Sequence, residues 1–451
     1  MNSKKILAIL AASTLMTGAV GCTSSKPDNT TENNTDTNTE TTSKPSSETT
    51  ETGEKKKVTA WAWDKNFNIA ALEAAEAIYE AENPDVDIEI IEYAQADIVQ
   101  KLNTGLSSGS TEGLPNIVLI EDYRIQTFLQ SYPGSFKELS GTINEEDFAD
   151  YKLDFMKLED KIYGVPFDTG SAAVFYRKDI IEQAGYSQED MNALTWEKYI
   201  EIGKAVKEKT GLAMLTLDPN DVGQVRMMMQ SAGSWYVKED GVTPNLAGNE
   251  VLKEALGLYK EMVDSGISKT ISEWSQFVGA ANNSEVATVP TGCWFTASIM
   301  AGADQTGLWG VAPMPRMGKI ETSVNASNIG GSSWYVLNDV EGSDLAADFL
   351  GTTFAGNTDF YQQILTENGV IATYKPAQTG EAYSQQVEFF DNQAIYSDIS
   401  KWTENIPPVN YGLHTYAFED IIKAEVQNMM AGTDIDTCLE NAQKQAESQI
   451  R

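Results

Sequence analysis

From residue 58 onward, apolar positions recur in two alternating periods. Residues 58–63 (VTAWAW) alternate and end in aromatics, as a strand does. Phe67, Ala71, Ala74, Ile78 and Ala81 then recur at helical spacing until Asn83-Pro84 stops the run. Residues 86–93 (VDIEIIEY) predict a second strand, 96–106 a helix, 115–121 (PNIVLIE) a near-continuous apolar strand and 124–132 a short helix. This β-α-β-α-β-α order predicts a parallel sheet covered by helices. After residue 165 the pattern restarts: strand 172–177, helix 196–209, strand 212–217, helices 222–232 and 250–264, strands 286–289, 309–313 and 333–337, and a nearly all-helical end from Tyr411. Residues 58–451 exceed what one core usually holds, so the expected fold class is α/β in two lobes. In open α/β sheets ligands sit beyond the carboxyl ends of strands, which places Trp63-Asp64, Glu121-Asp122 and Asp168 at a cleft.

Ahead of residue 58 both periods vanish. The chain opens MNSKKILAILAASTLMTGAVGC, with Lys4 and Lys5 before an apolar stretch over 6–20 and a small-residue site ending at Cys22. That stretch is too short to span a bilayer as a stable helix. It resembles the lipobox of a bacterial lipoprotein, with Ala19 where Leu is usual and Cys22 as the lipidated first residue of the mature chain; an ordinary signal peptide is the rival reading. Residues 23–57 hold 16 Ser or Thr and no Val, Ile, Leu, Met or aromatic, so nothing there builds a core. As a coil this stretch spans about 30 Å by the rule of roughly 5–6 Å × √n, enough to hold a folded body off the membrane. The expected localisation is outside the cytoplasm, lipid-anchored to the cell membrane. The body itself has no run of about 20 apolar residues.

The formal net charge of −34, which becomes −36 when Lys4 and Lys5 leave with the leader, repels phosphate backbones, so nucleic acid is not an expected partner. Beyond Cys22 only Cys293 and Cys438 remain; a disulfide and two free thiols both fit an extracytoplasmic chain. His414 is the one histidine, and there is no HExxH or CxxC. Zinc hydrolysis and histidine-based triads are thereby excluded, and no metal or cofactor is expected. Asp218-Pro-Asn220-Asp221 has calcium-like spacing without the glycine and distal Glu of such a loop, and reads as a helix cap. The stretch FDTGSAAVFY at 167–176 carries the Asp-Thr-Gly-Ser of an aspartic protease. That chemistry needs two aspartates sharing a proton, and the chain has a single copy.

Three further segments point elsewhere. KIYGVPFDTGSAAVFYRKDIIEQAG (161–185), EVATVPTGCWFTASI (285–299) and IPPVNYGLHTYAFEDIIKAEVQNMMAG (406–432) resemble, in order and spacing, segments of the extracellular solute-binding proteins that feed carbohydrate ABC importers. The resemblance implies a two-lobed Venus-flytrap fold of the type II periplasmic-binding-protein kind, whose hinge is crossed three times. It divides the chain into signal peptide 1–21, tether 22–57, N-lobe 58–167 and 331–379, and C-lobe 168–330 and 380–451. It further implies a binding protein without enzymatic activity, with a sugar or oligosaccharide ligand, docking on membrane permease subunits, and a monomeric state. A binding protein for another small solute and a secreted glycoside hydrolase remain the alternatives, the latter distinguished by turnover.

A sugar site needs flat aromatic faces for C–H surfaces and carboxylates or amides for the hydroxyl edge. By the resemblance, Trp294 after Gly292-Cys293 holds the stacking position, and Asp168 at the first crossing accepts sugar hydroxyls. Trp235 and Tyr236 lie in a cleft-facing loop, Tyr411 on the C-lobe platform and Gly331 at the second crossing. Trp63, Asp64 and Lys65 end the first strand, where Asp64 is equally readable as a helix cap. Glu121 and Asp122 follow the third strand and compete with a solvated turn. Trp402 is a loop candidate that core packing explains as well.

Overall fold

A computed structural model of the chain describes residues 55–450; the leader, Cys22 and the tether through residue 54 lie outside the described residues. Its larger sheet has the strand order Val86–Glu92, Lys56–Ala62, Ile117–Glu121, Ser332–Val336, Gly164–Pro166. The first three run parallel, with Val58 opposite Ile88 and Ala60 opposite Ile117. Parallel neighbours need a crossover, and helices Ala70–Glu82 and Gln95–Ser108 supply it. Ala71, Leu72, Ala75 and Tyr79 form the buried stripe of the first helix, which ends at Asn83 because Pro84 cannot continue it. Ile117 to Ile120 are all buried, the reason this strand reads as a continuous apolar run.

Strand Ser332–Val336 inserts antiparallel beside Ile117–Glu121, with Ser332 opposite Glu121, although it follows the second set of elements in the chain. The second sheet centres on Ala172–Arg177, buried throughout and flanked antiparallel by Thr288–Gly292 and Trp309–Pro313. Leu215–Leu217 pairs in parallel with Ser268–Thr270 nearby. Helix Glu250–Asp264, begun by the Asn249 side chain accepting from Leu252 N, is packed by Trp196–Thr210, Gly223–Ser231 and Ile435–Gln449.

The chain thus passes from the first sheet to the second between Pro166 and Ala172 and returns between Pro313 and Ser332. A third passage lies between helix Thr358–Asn368, packed on Ala70–Glu82, and helix Ile395–Thr403, packed on Trp309–Pro313. The passages touch one another: Ile329 N donates to Gly170 O at 2.8 Å and Thr169 N to Ile371 O at 3.0 Å. Cys293 and Cys438 are buried and free, and burial pushes both thiols up, so the open question of a disulfide resolves to two protonated thiols. Among the described residues no group of His, Cys, Asp and Glu is arranged to hold a metal ion, and no helix is long and apolar enough to cross a membrane.

Candidate ligand-binding site

A cavity of about 330 Å³ lies between the two lobes. Glu121 and Tyr123 reach it from the first lobe, Ile329 and Gly330 from the second passage, and Asp221, Gln224, Arg226, Trp274 and Trp294 from the second lobe. Glu121 arrives there because it ends a parallel strand, where the sheet opens to its ligand face. Trp294 follows strand Thr288–Gly292 in a single 3₁₀ turn, its Nε1 donating to Ile329 O at 3.0 Å. Gly292 permits this placement: a Cβ there would lie 2.1 Å from Trp294 Nε1. The indole is therefore fixed in orientation while it remains only half-buried.

The polar groups around it are unevenly spent. Gln224 Nε2 donates to Pro290 O, whereas its Oε1, like Arg226 Nε, is buried with no hydrogen-bond partner among the described residues. Arg226 lies 3.4 Å from Asp221 and 3.4 Å from Glu419, and its guanidinium sits 5.3 Å from the Tyr123 ring centre. Burial works against its charge, but Glu419, Tyr123 and Asp221 hold it well above the ordinary arginine range. Glu121 Oε2 accepts from the Tyr416 hydroxyl and lies 3.3 Å from Arg124 Nε, which leaves Oε1 for other donors. Burial pushes the Tyr123 and Tyr416 hydroxyls up, so both stay neutral. With Asp218 and Glu273 also on its wall, the cavity is acidic and aromatic. It offers ring faces to C–H surfaces and carboxylate or amide oxygens to hydroxyl groups, and it repels anions.

Of the residues expected at a site, Glu121 and Trp294 are brought together here. The others go elsewhere, each for a visible reason. Asp168 is 5 % exposed, and its Oδ1 accepts from Ser332 N at 2.6 Å and Ser332 Oγ at 3.0 Å, so this one oxygen clamps the first passage to the second. Asp122 is buried against Lys152, Nζ to Oδ2 at 2.6 Å, and accepts from Ser333 Oγ. Burial pushes its carboxyl up to about 7 against the pull of Lys152. Gly331, at φ 93°, packs on that pair: a Cβ there would lie 2.6 Å from Asp122 Oδ2. Asp64 is exposed at φ 61° and caps the turn Lys65–Ile69 by accepting from Asn66 N; Lys65 is exposed beside it. Trp63 lines a small recess with Glu121 and Arg124. Trp402 is half-buried on helix Ile395–Thr403 rather than in a loop.

The expected platforms Trp235 and Tyr411 instead pack on each other and on Tyr123. Trp235 stacks on Tyr123 at 5.6 Å and 21°, and Tyr411 meets Tyr123 edge-on at 4.6 Å and Phe155 face-on at 5.4 Å. Their polar ends are used as well, Trp235 Nε1 on Thr415 Oγ1 and the Tyr411 hydroxyl on Gln230. Tyr236 is fully buried behind them. Trp235 also lines a wider groove of about 800 Å³ with Asp154, Lys238, Glu239 and Asn410. That groove is larger, but it has a single indole, itself almost fully buried, and lies away from the second passage. The smaller cavity is the candidate because it joins two indoles to carboxylate, amide and guanidinium side chains at that passage. Sequence reading passed over Tyr123, Gln224, Arg226 and Trp274. The available signal was Arg226, a charge in the middle of the apolar helical run VGQVRMMMQSA.

Comparison with known proteins bears on this arrangement. Residues 74–391 match the family described as bacterial extracellular solute-binding protein. The chain is 45 % identical over 395 residues to the lactose-binding protein of Rhizobium radiobacter, covering 88 % of this chain and 93 % of that one. It is 25 % identical over 295 residues to the arabinooligosaccharide-binding protein of Halalkalibacterium halodurans, covering 63 % and 64 %. In fold it resembles the crystal structure of the sugar-binding protein MalE from Xanthomonas citri, with a TM-score of 0.73 at 18 % identity over 88 % of this chain and 97 % of that one. Two α/β lobes about a shared cleft, and a family match spanning most of both, establish that the chain belongs to the bacterial extracellular solute-binding proteins.

Proposed function

We propose that this protein captures an uncharged saccharide of the lactose type outside the cytoplasm and delivers it to an ABC importer. The observation that carries the reading is the Trp294 indole, held half-buried on a cavity wall that the Glu121, Gln224 and Arg226 side chains also line. A pyranose laid on that indole turns its hydroxyls toward these groups. Four carboxylates around one paired arginine disfavour phosphorylated or uronic sugars. The 45 % identity to a lactose-binding protein supports a galactoside as the first ligand to try. Binding involves no bond-making: lobe closure brings Tyr123 and Glu121 over a ligand held by the second lobe, so ligand shifts the open–closed equilibrium. Cys22 carries the lipid anchor, the residues from 23 up to strand Lys56–Ala62 serve as the tether, and one monomer docks on the permease.

The test is thermal unfolding of the purified protein against a panel of neutral, acidic and phosphorylated sugars. A ligand of the native state raises stability by RT ln(1 + [L]/Kd), about 2.7 kcal/mol at a hundredfold excess over Kd. The expected outcome is a shift with lactose or a related neutral galactoside, and sugar recovered unchanged. A shift only with anionic solutes would overturn the reading, and release of monosaccharides would replace it with a glycoside hydrolase.

A further inference from the structure

The outer wall of the cavity carries an aromatic side chain that fold stability does not account for. Trp274 is 57 % exposed, and it opens helix Trp274–Asn282 at the mouth of the cleft. A large apolar side chain left in water forgoes the stabilisation that burial would contribute, and an exposed aromatic joined to a contiguous cluster marks an interaction surface. Its neighbours hold the ring without burying it. Phe277 lies 5.5 Å away and Phe295 meets it edge-on at 5.6 Å, while Trp294 lies 5.9 Å away, inclined by 38°. Trp294 itself packs edge-on to Phe295. The two indoles therefore form a continuous aromatic wall, with Trp294 inside the cavity and Trp274 at its rim.

Two faces inclined to each other do not both lie flat on one pyranose ring; each takes its own. Trp294 is tethered to the hinge through Ile329 O and is half-buried, so the ring it takes is the enclosed one. Trp274 is exposed and shares the cavity wall with Glu273 and Asp218, whose carboxylates are acceptors for the hydroxyl edge of a ring at the mouth. We infer that Trp274 is the stacking platform for a second sugar ring, so that the ligand is at least a disaccharide whose outer ring rests on Trp274. This inference rests on the saccharide reading above and adds to it the residue that holds the second ring and so sets the minimum length. The bound outer ring covers the exposed indole and so supplies selectivity for disaccharides over their constituent monosaccharides.

The experiment is calorimetric titration of the purified full-length protein in detergent with lactose, melibiose, cellobiose and maltose, and with galactose and glucose. Wild type is compared with Trp274→Ala and Trp274→Phe, and unfolding without sugar is used to check that each variant is folded. The expected result is that wild type binds one disaccharide at least tenfold more tightly than either monosaccharide. Trp274→Ala then loses tenfold or more for that disaccharide while monosaccharide affinity moves less than threefold, and Trp274→Phe recovers most of the loss. If Trp274→Ala leaves disaccharide affinity within threefold, or weakens disaccharide and monosaccharide equally, the second-ring assignment is overturned while the sugar reading stands. Tighter binding of a monosaccharide by wild type has the same meaning. Absence of binding to every sugar overturns the saccharide reading itself, and this inference with it.

Discussion

Trp294, Lys152 and Asp168 show how residue type alone underdetermines role. Trp294 is half-buried, with its indole at the cavity and its nitrogen on the hinge, so truncation removes a ligand face with little damage to a core. Trp294→Ala is expected to weaken sugar affinity by about 2 kcal/mol, or roughly thirtyfold, as buried aromatic anchors do. Titration calorimetry checks this, with an unchanged unfolding midpoint as the control. Lys152 belongs to stability instead. Its ammonium is fully buried between Asp122 and the Ser332 carbonyl, at 2.6 and 2.9 Å. Lys152→Met leaves Asp122 buried without its cation, which is expected to cost about 3–5 kcal/mol in urea unfolding. Asp168, whose Asp-Thr-Gly-Ser setting suggests a catalytic or sugar-binding carboxylate, is occupied by Ser332 and so ties two passages together.

At the scale of elements, the turn that presents Trp294 is more exacting than the strand before it. Gly292→Ala puts a methyl group into the space of the indole and must re-aim the turn Cys293–Phe295. Sugar affinity is expected to fall at least as far as in Trp294→Ala, while far-ultraviolet circular dichroism stays unchanged; wild-type affinity would mean that the turn adapts. The same scale explains what was legible in the sequence. Helix Glu250–Asp264 falls where periodicity places it because it buries one face with the period of its own backbone, and strand Ala172–Arg177 reads as a short, largely apolar run because both of its faces are buried. Periodicity carries no information about partners, so by pattern Ser332–Val336 reads as one more strand, and only the family resemblance assigned 331–379 to the lobe of the first sheet, which this strand joins. Glu121 was legible because it ends a strand, where direction is fixed by the sheet, whereas Trp294 was singled out by the family resemblance. Tyr123 and Arg226 sit on helices, where only packing decides which side meets the cleft. Trp235 and Tyr411 have the chemistry of platforms, and the fold uses it to pack them on each other.

At the scale of the whole molecule, the lobes meet through contacts that domain opening must break. Tyr123 packs on Trp235 and Tyr411, Thr127 Oγ1 donates to Leu413 O at 2.7 Å, and Tyr416 donates to Glu121. The two free thiols then acquire a use. Cys293 lies directly before Trp294, and its Sγ is 3.3 Å from Thr169 O on the first passage, so a thiol reagent reaches it when that junction parts. Cys438 is buried on helix Ile435–Gln449 in the second lobe, remote in sequence from the passages, and serves as the reference for unfolding of that lobe. In protein produced from residue 55 onward, maleimide capture followed by peptide mapping is expected to modify Cys293 faster than Cys438, with saturating sugar slowing Cys293 alone. Equal slowing of both would mean that the reagent enters only by unfolding. The absence of a disulfide among the described residues thus equips the molecule with a native clock for its own breathing, read without a single substitution.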